Sequence, residues 1–169
     1  MNVELIENPT EKDWMIVKEL AVGTMGLKAV NPPTEEWKHK ILKARHPPIR
    51  WLRWLIVFED IPYYVSTHLS RHKHAQPFIE TQRNDRQDTH DRRKAPQDYP
   101  VIMRWEVNAE ELMIIANKRL CMQADPVTRK YIEEMCDAIV LCNPEMKPFL
   151  VPMCEYTNDC KEIFGCGRY

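Results

Sequence analysis

Glycine is scarce in this chain of 169 residues, which contains only Gly23, Gly26, Gly165 and Gly167. Rossmann and P-loop nucleotide sites need several glycines within one short loop, because the backbone has to approach the phosphates closely. The spacing of these four glycines does not allow such a loop. The sequence therefore argues against both folds, and a bound phosphate would have to be held by side chains or helix N-termini.

Length and composition are those of an ordinary globular domain. A chain of 169 residues buries roughly two-thirds of its unfolded surface, so we expect a single domain spanning residues 1–169. Hydrophobic residues make up 44% and charged residues 29% of the chain, which is a balance typical of globular proteins. The net charge of −1 directs the whole protein to neither nucleic acid nor membrane.

No targeting or membrane segment is visible in the sequence. No apolar run approaches the roughly 20 residues needed to cross a bilayer, and residues 1–4 lack the basic and apolar regions of a signal peptide. Six cysteines without an export signal are typical of reduced thiols. We therefore expect a cytoplasmic protein with no membrane partner.

Local patterns predict short strands and helices along the first half of the chain. The expected elements are a strand at 3–6, helices at 11–22 and 34–44, a buried strand at 52–58 and a short helix at 63–70. Thr10, with Asp13 three residues later, predicts a capping box at the first helix. Residues 84–100 are highly charged and predict a loop or an exposed helix.

The last third of the chain is helical by pattern. An apolar stripe that includes Leu112 and Ile115 predicts one amphipathic helix. Asp125 followed by Pro126 predicts the start of the next, since Asp is a good N-cap and Pro suits the first helical position. Pro144 predicts a final short helix.

The stretch from Arg71 to Arg83 mixes cationic and polar side chains, which suits an anionic small molecule better than a folded core. Arginine binds phosphate bidentately and stays ionised. The trio His68, His72 and His74 leaves a zinc site open as an alternative. A nucleic-acid surface is a weaker alternative, because acidic residues interrupt the basic run.

The same stretch resembles the signature of the flavin-dependent thymidylate synthases, the ThyX family. In that family Arg-His-Arg is followed by an alanine and then by a cluster of Glu, Ser and Arg. Here Arg71-His72-Lys73 is followed by Ala75 and by Glu80-Thr81-Gln82-Arg83. Further similarities, in the family's order, are His46-Pro47-Pro48, Pro62, the pair Arg92 and Pro96, and Val107-Asn108-Ala109 with the helix to Arg119. The chain resembles a divergent and shortened member.

The resemblance implies an α+β fold in which a small mixed sheet packs against helices, with a helical C-terminal third. It implies that FAD, reduced by NADPH, drives the methylation of dUMP to dTMP with methylenetetrahydrofolate. In such a reaction the protein supplies binding, orientation and electrostatics while the cofactor supplies hydride. Family members are homotetramers whose sites draw on several chains, so we expect a homo-oligomer.

The roles of individual residues follow from the same resemblance. FAD would be contacted by Arg71, His72, Lys73, His74 and Asn108. The nucleotide would be held by Glu80, Thr81, Gln82, Arg83, Arg92 and Arg119, of which Thr81 and Arg119 are the expected catalytic residues. No metal is implied.

Several positions depart from the family pattern. Ile79 stands where the family has Glu, Leu52 where a flavin-contacting His is expected, and Ile114 where a second helix Asn is expected. Lys73 replaces an Arg, and the connection between residues 83 and 92 is much shorter than the corresponding connection in the family. These departures leave a non-catalytic nucleotide- or flavin-binding relative as the alternative function.

Simpler roles stay open for some of the same residues. Asn108 with Glu111 also predicts a helix N-cap, and a solvated helix face is an alternative place for Arg119. The cysteines of the C-terminal tail, Cys154, Cys160 and Cys166, contain no Cys-x-x-Cys pair. Small buried thiols are therefore favoured there over a metal site or a redox pair.

Overall fold

The computed structural model describes residues 2–83, 85–86, 91 and 93–168. Its strands are β1 (Asn2–Glu7), β2 (Arg53–Pro62), β3 (Ala75–Ile79) and β4 (Pro100–Asn108). Its α-helices are α1 (Glu11–Gly23), α2 (Glu35–Lys43), α3 (Tyr63–Leu69), α4 (Ala109–Arg119), α5 (Pro126–Cys142) and α6 (Met153–Thr157). Short 3₁₀ turns occupy Pro47–Trp51 and Pro144–Met146.

The described strands form one four-stranded sheet in the order β1-β2-β4-β3. Each pairing is antiparallel, and Ile56 in the middle of β2 faces Leu5 of β1 on one side and Trp105 of β4 on the other. The expected α+β class is confirmed. The sheet is antiparallel throughout rather than mixed, because strand direction is set by long-range pairing that an alternating pattern does not encode.

Strand β4 lies inside the sheet, between β2 and β3. The sequence patterns did not predict a strand at this position. Four buried positions, Val101, Met103, Trp105 and Val107, alternate with more exposed neighbours. This is the period of two that a half-buried strand requires. One of the intervening residues, Ile102, is itself apolar, which weakens the alternation in the sequence.

Helices begin where the local caps predicted them. Asp13 accepts a hydrogen bond from the Thr10 backbone N–H at 2.9 Å, which completes the capping box of α1. Asp125 accepts from the Thr128 N–H at 2.8 Å, and Pro126 occupies the first turn of α5. The short helix expected at Pro144 is a single 3₁₀ turn. None of the helices in the described part of the chain is both long and apolar enough to cross a bilayer.

The core lies between the sheet and the helices of the last third. Trp54 and Phe58 of β2 and Trp105 of β4 are buried, as are most apolar side chains of α4 and α5. The Tyr131 ring of α5 lies edge-on to Phe58 at 6.2 Å, and its hydroxyl donates to the Asp60 carbonyl at 2.9 Å. These contacts hold α5 across β2, while α4 continues directly from the end of β4.

Candidate functional site

The turn after α3 meets the helix after β4 at one end of the sheet. Pairing of β3 with β4 puts Ala75 opposite Val107, so residues 71–74 lie beside the start of α4. The Asn108 side chain joins the two segments, since its Oδ1 accepts from the Glu111 N–H at 3.0 Å and its Nδ2 donates to the His74 carbonyl at 3.2 Å. Asn108 is therefore the N-cap of α4, as its spacing to Glu111 predicted. It also connects the helix to the turn.

Three polar side chains form a continuous chain between α4 and this turn. Glu111 Oε1 lies 3.0 Å from His72 Nδ1, and Arg119 Nε lies 3.3 Å from His72 Nε2. Arg119 Nη2 also donates to the His68 carbonyl at 3.3 Å. The His72 ring packs edge-on against buried Trp105 at 6.1 Å between ring centroids. The carboxylate, the imidazole and the guanidinium are thus linked by consecutive contacts, and the imidazole packs against the core.

The surroundings of His72 favour its neutral form. Burial has the largest effect and lowers the pKa of the imidazole, the hydrogen bond to Glu111 raises it, and the charge of Arg119 lowers it, so that the pKa lies below its ordinary value. A neutral imidazole has one donor and one acceptor nitrogen. Because a carboxylate only accepts and a guanidinium only donates, Nδ1 carries the proton and Nε2 accepts from Arg119.

The charge of a second arginine acts on Arg119. Burial lowers the pKa of the Arg119 guanidinium, and the charge of Arg71 lowers it further. Arginine nevertheless remains a cation in proteins, so the two positive charges repel each other. An anionic ligand would offset this repulsion, because its negative charge attracts both guanidinium groups.

A surface depression of about 290 Å³ opens beside Arg119. Its lining residues are His72, Lys118, Arg119, Cys121, Gln123, Ala124 and Glu162. Lys118 Nζ lies 3.4 Å from Glu162 Oε1, so one of its two cations is already paired. Arg119 is therefore the cation that this depression leaves for a ligand among the described residues.

The other predicted flavin contacts lie on the exposed side of the turn. Arg71, Lys73 and His74 are all exposed. Within the described part of the chain, none of the three forms an ion pair with a carboxylate. These three side chains are thus available to a ligand or to a second molecule.

The second predicted group, Glu80 to Arg83, lies towards the opposite end of β3. Ile79 pairs with Met103, whereas Ala75 pairs with Val107. At about 3.3 Å per residue, the chain has run roughly 13 Å along the sheet before it reaches Glu80. Within one chain, therefore, these residues do not gather around Arg119.

The polar side chains of this second group are engaged locally. Arg83 donates to both carboxylate oxygens of Asp85, at 2.9 and 2.6 Å. The Thr81 hydroxyl accepts from the Arg83 N–H at 3.3 Å, and the Glu80 carboxylate accepts from the Ile102 N–H at 3.0 Å. A nucleotide contact by Arg83 would have to compete with Asp85.

Gln82 differs from its neighbours because it is buried, with only 9% of its surface exposed. Its Nε2 atom has no hydrogen-bond partner among the described residues. A buried amide donor is normally satisfied, so this position marks a polar group that a ligand or a partner chain would stabilise. Arg92, the remaining predicted nucleotide contact, lies outside the described residues.

Comparison of the sequence with family models and with curated proteins found no match. Solved structures do match the fold. Thymidylate synthase X (ThyX) from Helicobacter pylori, with FAD and dUMP, superposes with a TM-score of 0.64 at 11% identity, and the match covers 82% of this chain and 93% of that one. A second structure of ThyX from that organism, complexed with FAD and dUMP, gives a TM-score of 0.66 at 13% identity with the same coverage.

The UMP/dUMP methylase PolB from Streptomyces cacaoi, bound with 5-Br dUMP, gives a TM-score of 0.65 at 14% identity, covering 88% of this chain and 95% of that one. This chain has a ThyX-like fold. At identities this low the likeness concerns the arrangement of helices and strands, and each side chain has to be judged by its own surroundings.

Within this ThyX-like fold, Glu111 is the site residue that sequence reasoning missed. It was noted only as the partner of an N-cap, yet its carboxylate is buried, with 4% of the residue exposed, and contacts His72. A signal was present, because Glu111, Ile115 and Arg119 follow one another at the four-residue spacing that shares a helix face. An acidic residue on a largely buried face requires a partner.

The zinc alternative is not supported by the arrangement of ligands in the ThyX-like fold. No group of three or more His, Cys, Asp and Glu side chains in the described residues has a metal-binding arrangement. Both ring nitrogens of His72 are already engaged by Glu111 and Arg119.

Two larger depressions in the ThyX-like fold lie away from these residues. One of about 500 Å³, between α1 and α2, is lined largely by apolar side chains such as Trp37 and Ile41. Another of about 310 Å³ lies beside Trp51, Asp13 and Arg53. Neither contains the linked Glu111, His72 and Arg119 side chains that distinguish the region around Arg119.

Proposed function

We propose that this protein is a flavin-dependent enzyme that methylates a pyrimidine nucleoside monophosphate, with dUMP as substrate, FAD as cofactor, and methylenetetrahydrofolate and NADPH as carbon and hydride sources. The observation that carries this proposal is the Arg119 guanidinium, which His72 Nε2 and the His68 carbonyl hold at the edge of a depression. The ThyX-like fold supports the same choice, since the matching structures hold dUMP, or 5-Br dUMP.

The residues of the turn fit one part of FAD well. The diphosphate is anionic, and the exposed cations Arg71 and Lys73 would hold it, with the exposed His74 side chain beside them. Asn108 keeps one amide N–H and one oxygen lone pair beyond its two bonds to the protein, so it can contact the cofactor as well. When bound, the flavin would supply hydride to the reaction, and the role of this chain is to bind and orient it.

The nucleotide would be held by Arg119 on one chain and by the Glu80–Arg83 segment of another. Within one chain the Arg119 guanidinium contacts His72, before β3, whereas Thr81 follows β3, so we propose that a second copy completes the site. Gln82, whose buried amide lacks a partner among the described residues, belongs to the same segment. We therefore propose that the protein is a homo-oligomer, specifically a homotetramer. We also propose that it is cytoplasmic and that Arg92 is a further nucleotide contact.

A second candidate, nucleotide binding without catalysis, is favoured by Leu52. This residue stands where a flavin-contacting His is expected, and it is 1% exposed within the core. Its carbonyl accepts the Ala109 N–H at 3.0 Å, so the backbone is committed to the start of α4. Leu52 therefore offers the isoalloxazine ring no polar contact.

Two measurements separate these candidates. The absorption spectrum of purified protein, with and without added FAD, is expected to show stoichiometric flavin. Tritium release from labelled dUMP, in the presence of NADPH and methylenetetrahydrofolate, is then expected to follow. Nucleotide binding without flavin or tritium release would instead establish the second candidate.

Replacement of Arg119 tests the phosphate contact directly. Arg119→Ala is expected to weaken dUMP binding by about 1.5–3 kcal/mol, the usual range for a hydrogen bond to a charged group. Arg104→Ala is a matched control, because Arg104 is exposed and alternates with buried Trp105, so it lies on the opposite face of β4 from His72. Equal affinities of the two variants in calorimetric titration would remove Arg119 from the site.

A further inference from the structure

We propose that Glu111 is a positioning residue: its carboxylate fixes the Nδ1–H tautomer of His72, and His72 Nε2 then holds Arg119 so that one edge of the guanidinium is free for a phosphate. The identity of the ligand rests on the proposed function, whereas the tautomer and the contacts do not. This role differs from the flavin contact that the family resemblance implied for His72.

The cost of burial is the first argument. Glu111 is 4% exposed, and a buried carboxylate is strongly destabilising unless it is paired. Its carboxylate contacts His72 Nδ1 at 3.0 Å, while its own N–H is occupied by the Asn108 cap. An apolar side chain would suit this largely buried helix face better if the site needed only packing.

The chemistry of the three groups fixes the direction of both hydrogen bonds. In the Nδ1–H tautomer, the ring donates to Glu111 and accepts from Arg119 Nε. In the opposite tautomer, a lone pair would face the carboxylate and an N–H would face the guanidinium, so that both contacts would be repulsive. The carboxylate therefore determines which nitrogen of His72 is the acceptor.

The bonds made by Arg119 decide which of its N–H groups are left. Nε donates to His72 Nε2 and Nη2 donates to the His68 carbonyl, each at 3.3 Å. Nη1 has no acceptor among the described residues, and Nη2 retains a second N–H. This remaining edge has the fork geometry that binds a phosphate bidentately. The positive charge of Arg71 also acts on this guanidinium.

Two pairs of substitutions separate this positioning role from a purely structural tie between α4 and the turn. His72→Gln can place an amide oxygen near the Nε2 position, where it accepts from Arg119. His72→Asn can place an amide N–H near the Nδ1 position, where it donates to Glu111 but leaves Arg119 without its acceptor. Glu111→Gln keeps an acceptor for the ring, and Glu111→Leu removes it while filling the buried space.

The first readout is the tautomer in the ligand-free protein, measured from the ¹⁵N chemical shifts of His72 near neutral pH. We expect the Nδ1–H form in the wild type and in Glu111→Gln, and a mixture of forms in Glu111→Leu. A wild-type ring that is protonated at Nε2, or at both nitrogens, would overturn the proposal whatever the protein binds.

The second readout is the affinity for dUMP, with deoxyuridine as the ligand that lacks the phosphate. We expect dUMP to bind roughly tenfold or more weakly to His72→Asn and Glu111→Leu, whereas His72→Gln and Glu111→Gln retain most of the affinity. Deoxyuridine should bind equally well to all four variants. Equal losses in His72→Asn and His72→Gln would contradict the positioning role.

Failure of the proposed function would be recognised separately. If the wild type does not bind dUMP, the same variants are titrated with inorganic phosphate. The positioning role then predicts the same order of affinities for phosphate, and it is overturned if the order is absent.

Discussion

The imidazole of His72 lies between a buried carboxylate and a part-buried guanidinium, and this arrangement fixes how it responds to pH. Burial and the charge of Arg119 lower its pKa more than Glu111 raises it. Below the ordinary histidine pKa of about 6.5, the unfolded chain binds a proton that the folded ring resists. The unfolding free energy therefore falls as the pH decreases through this window, and the contribution of the neutral ring is complete above it.

His72→Gln tests this dependence because glutamine does not titrate. Between neutral pH and about pH 5, we expect the wild type to lose stability more steeply than the variant, by at most about 1.4 kcal/mol per pH unit for one proton. The charged groups that contact the ring, Glu111 and Arg119, are present in both proteins. Urea unfolding at a series of pH values gives the two slopes, and parallel slopes would show that the His72 pKa is not lowered.

At this scale the sequence predicted the segments that form the candidate site, but it did not predict Glu111 as the partner of His72. The turn at 71–74 and the end of the helix at Arg119 were both singled out, and the structure places Arg119 Nε 3.3 Å from His72 Nε2 in that turn. The Glu111 contact was missed because it joins side chains 39 positions apart. No local pattern encodes such a distance, and only the register of β3 on β4 brings the two residues together.

Among the helices, α2 is held to α1 by a buried lysine. Lys38 is 3% exposed, lies 2.5 Å from Glu11 of α1 and 2.8 Å from Glu35, and sits 5.4 Å from the centre of the Trp14 ring. Burial lowers the pKa of this ammonium, but the bonds to the two carboxylates outweigh burial and raise it. Its hydrocarbon stem covers apolar surface while its charged end reaches the exposed carboxylates.

Lys38→Ala is expected to destabilise the protein by about 1–2 kcal/mol, through lost packing and two lost hydrogen bonds, with the charge contribution reduced because both carboxylates are exposed. Lys40→Ala is the matched control on the same helix. Lys40 pairs with Glu36, and both side chains are more than two-thirds exposed, so the change should cost less than about 0.5 kcal/mol. Equal free energies of unfolding in urea would contradict the role of Lys38.

A helix or strand could be predicted from the sequence when the residues that specify it lie within a few positions of each other. Helices α1 and α5 were placed correctly because Thr10 with Asp13, and Asp125 with Pro126, specify their starts within a few residues. Helix α6 contains only five residues, which is too few for a helical period to be recognised. The antiparallel sheet and the position of β4 depend on pairing between distant segments.

For the whole molecule, the proposed function requires that one copy complete the site of another. Subunits that carry Arg119→Ala lack one half of the nucleotide site, and subunits that carry Arg83→Ala lack the other. Because the two residues lie at different ends of β3, mixed oligomers should contain some sites with both arginines intact. We expect dUMP binding to reappear when the two variants are unfolded together and refolded.

Sedimentation of the mixture and of each variant alone provides the control for assembly. A stable wild-type monomer, or the absence of recovered binding in a confirmed mixed oligomer, would contradict a shared site. The sequence carried the expectation of assembly only through a family resemblance. A strand of five residues separates the two groups in one chain, and that separation is visible only in the structure.

The separation of Arg119 from the Glu80–Arg83 segment, if both hold the nucleotide as proposed, also has a kinetic consequence. A folded subunit at high dilution would hold every required side chain and still be inert, since none of its neighbours completes the pocket. Turnover per subunit should then rise with protein concentration and level off once association is complete, and the concentration at the midpoint would report the strength of that association.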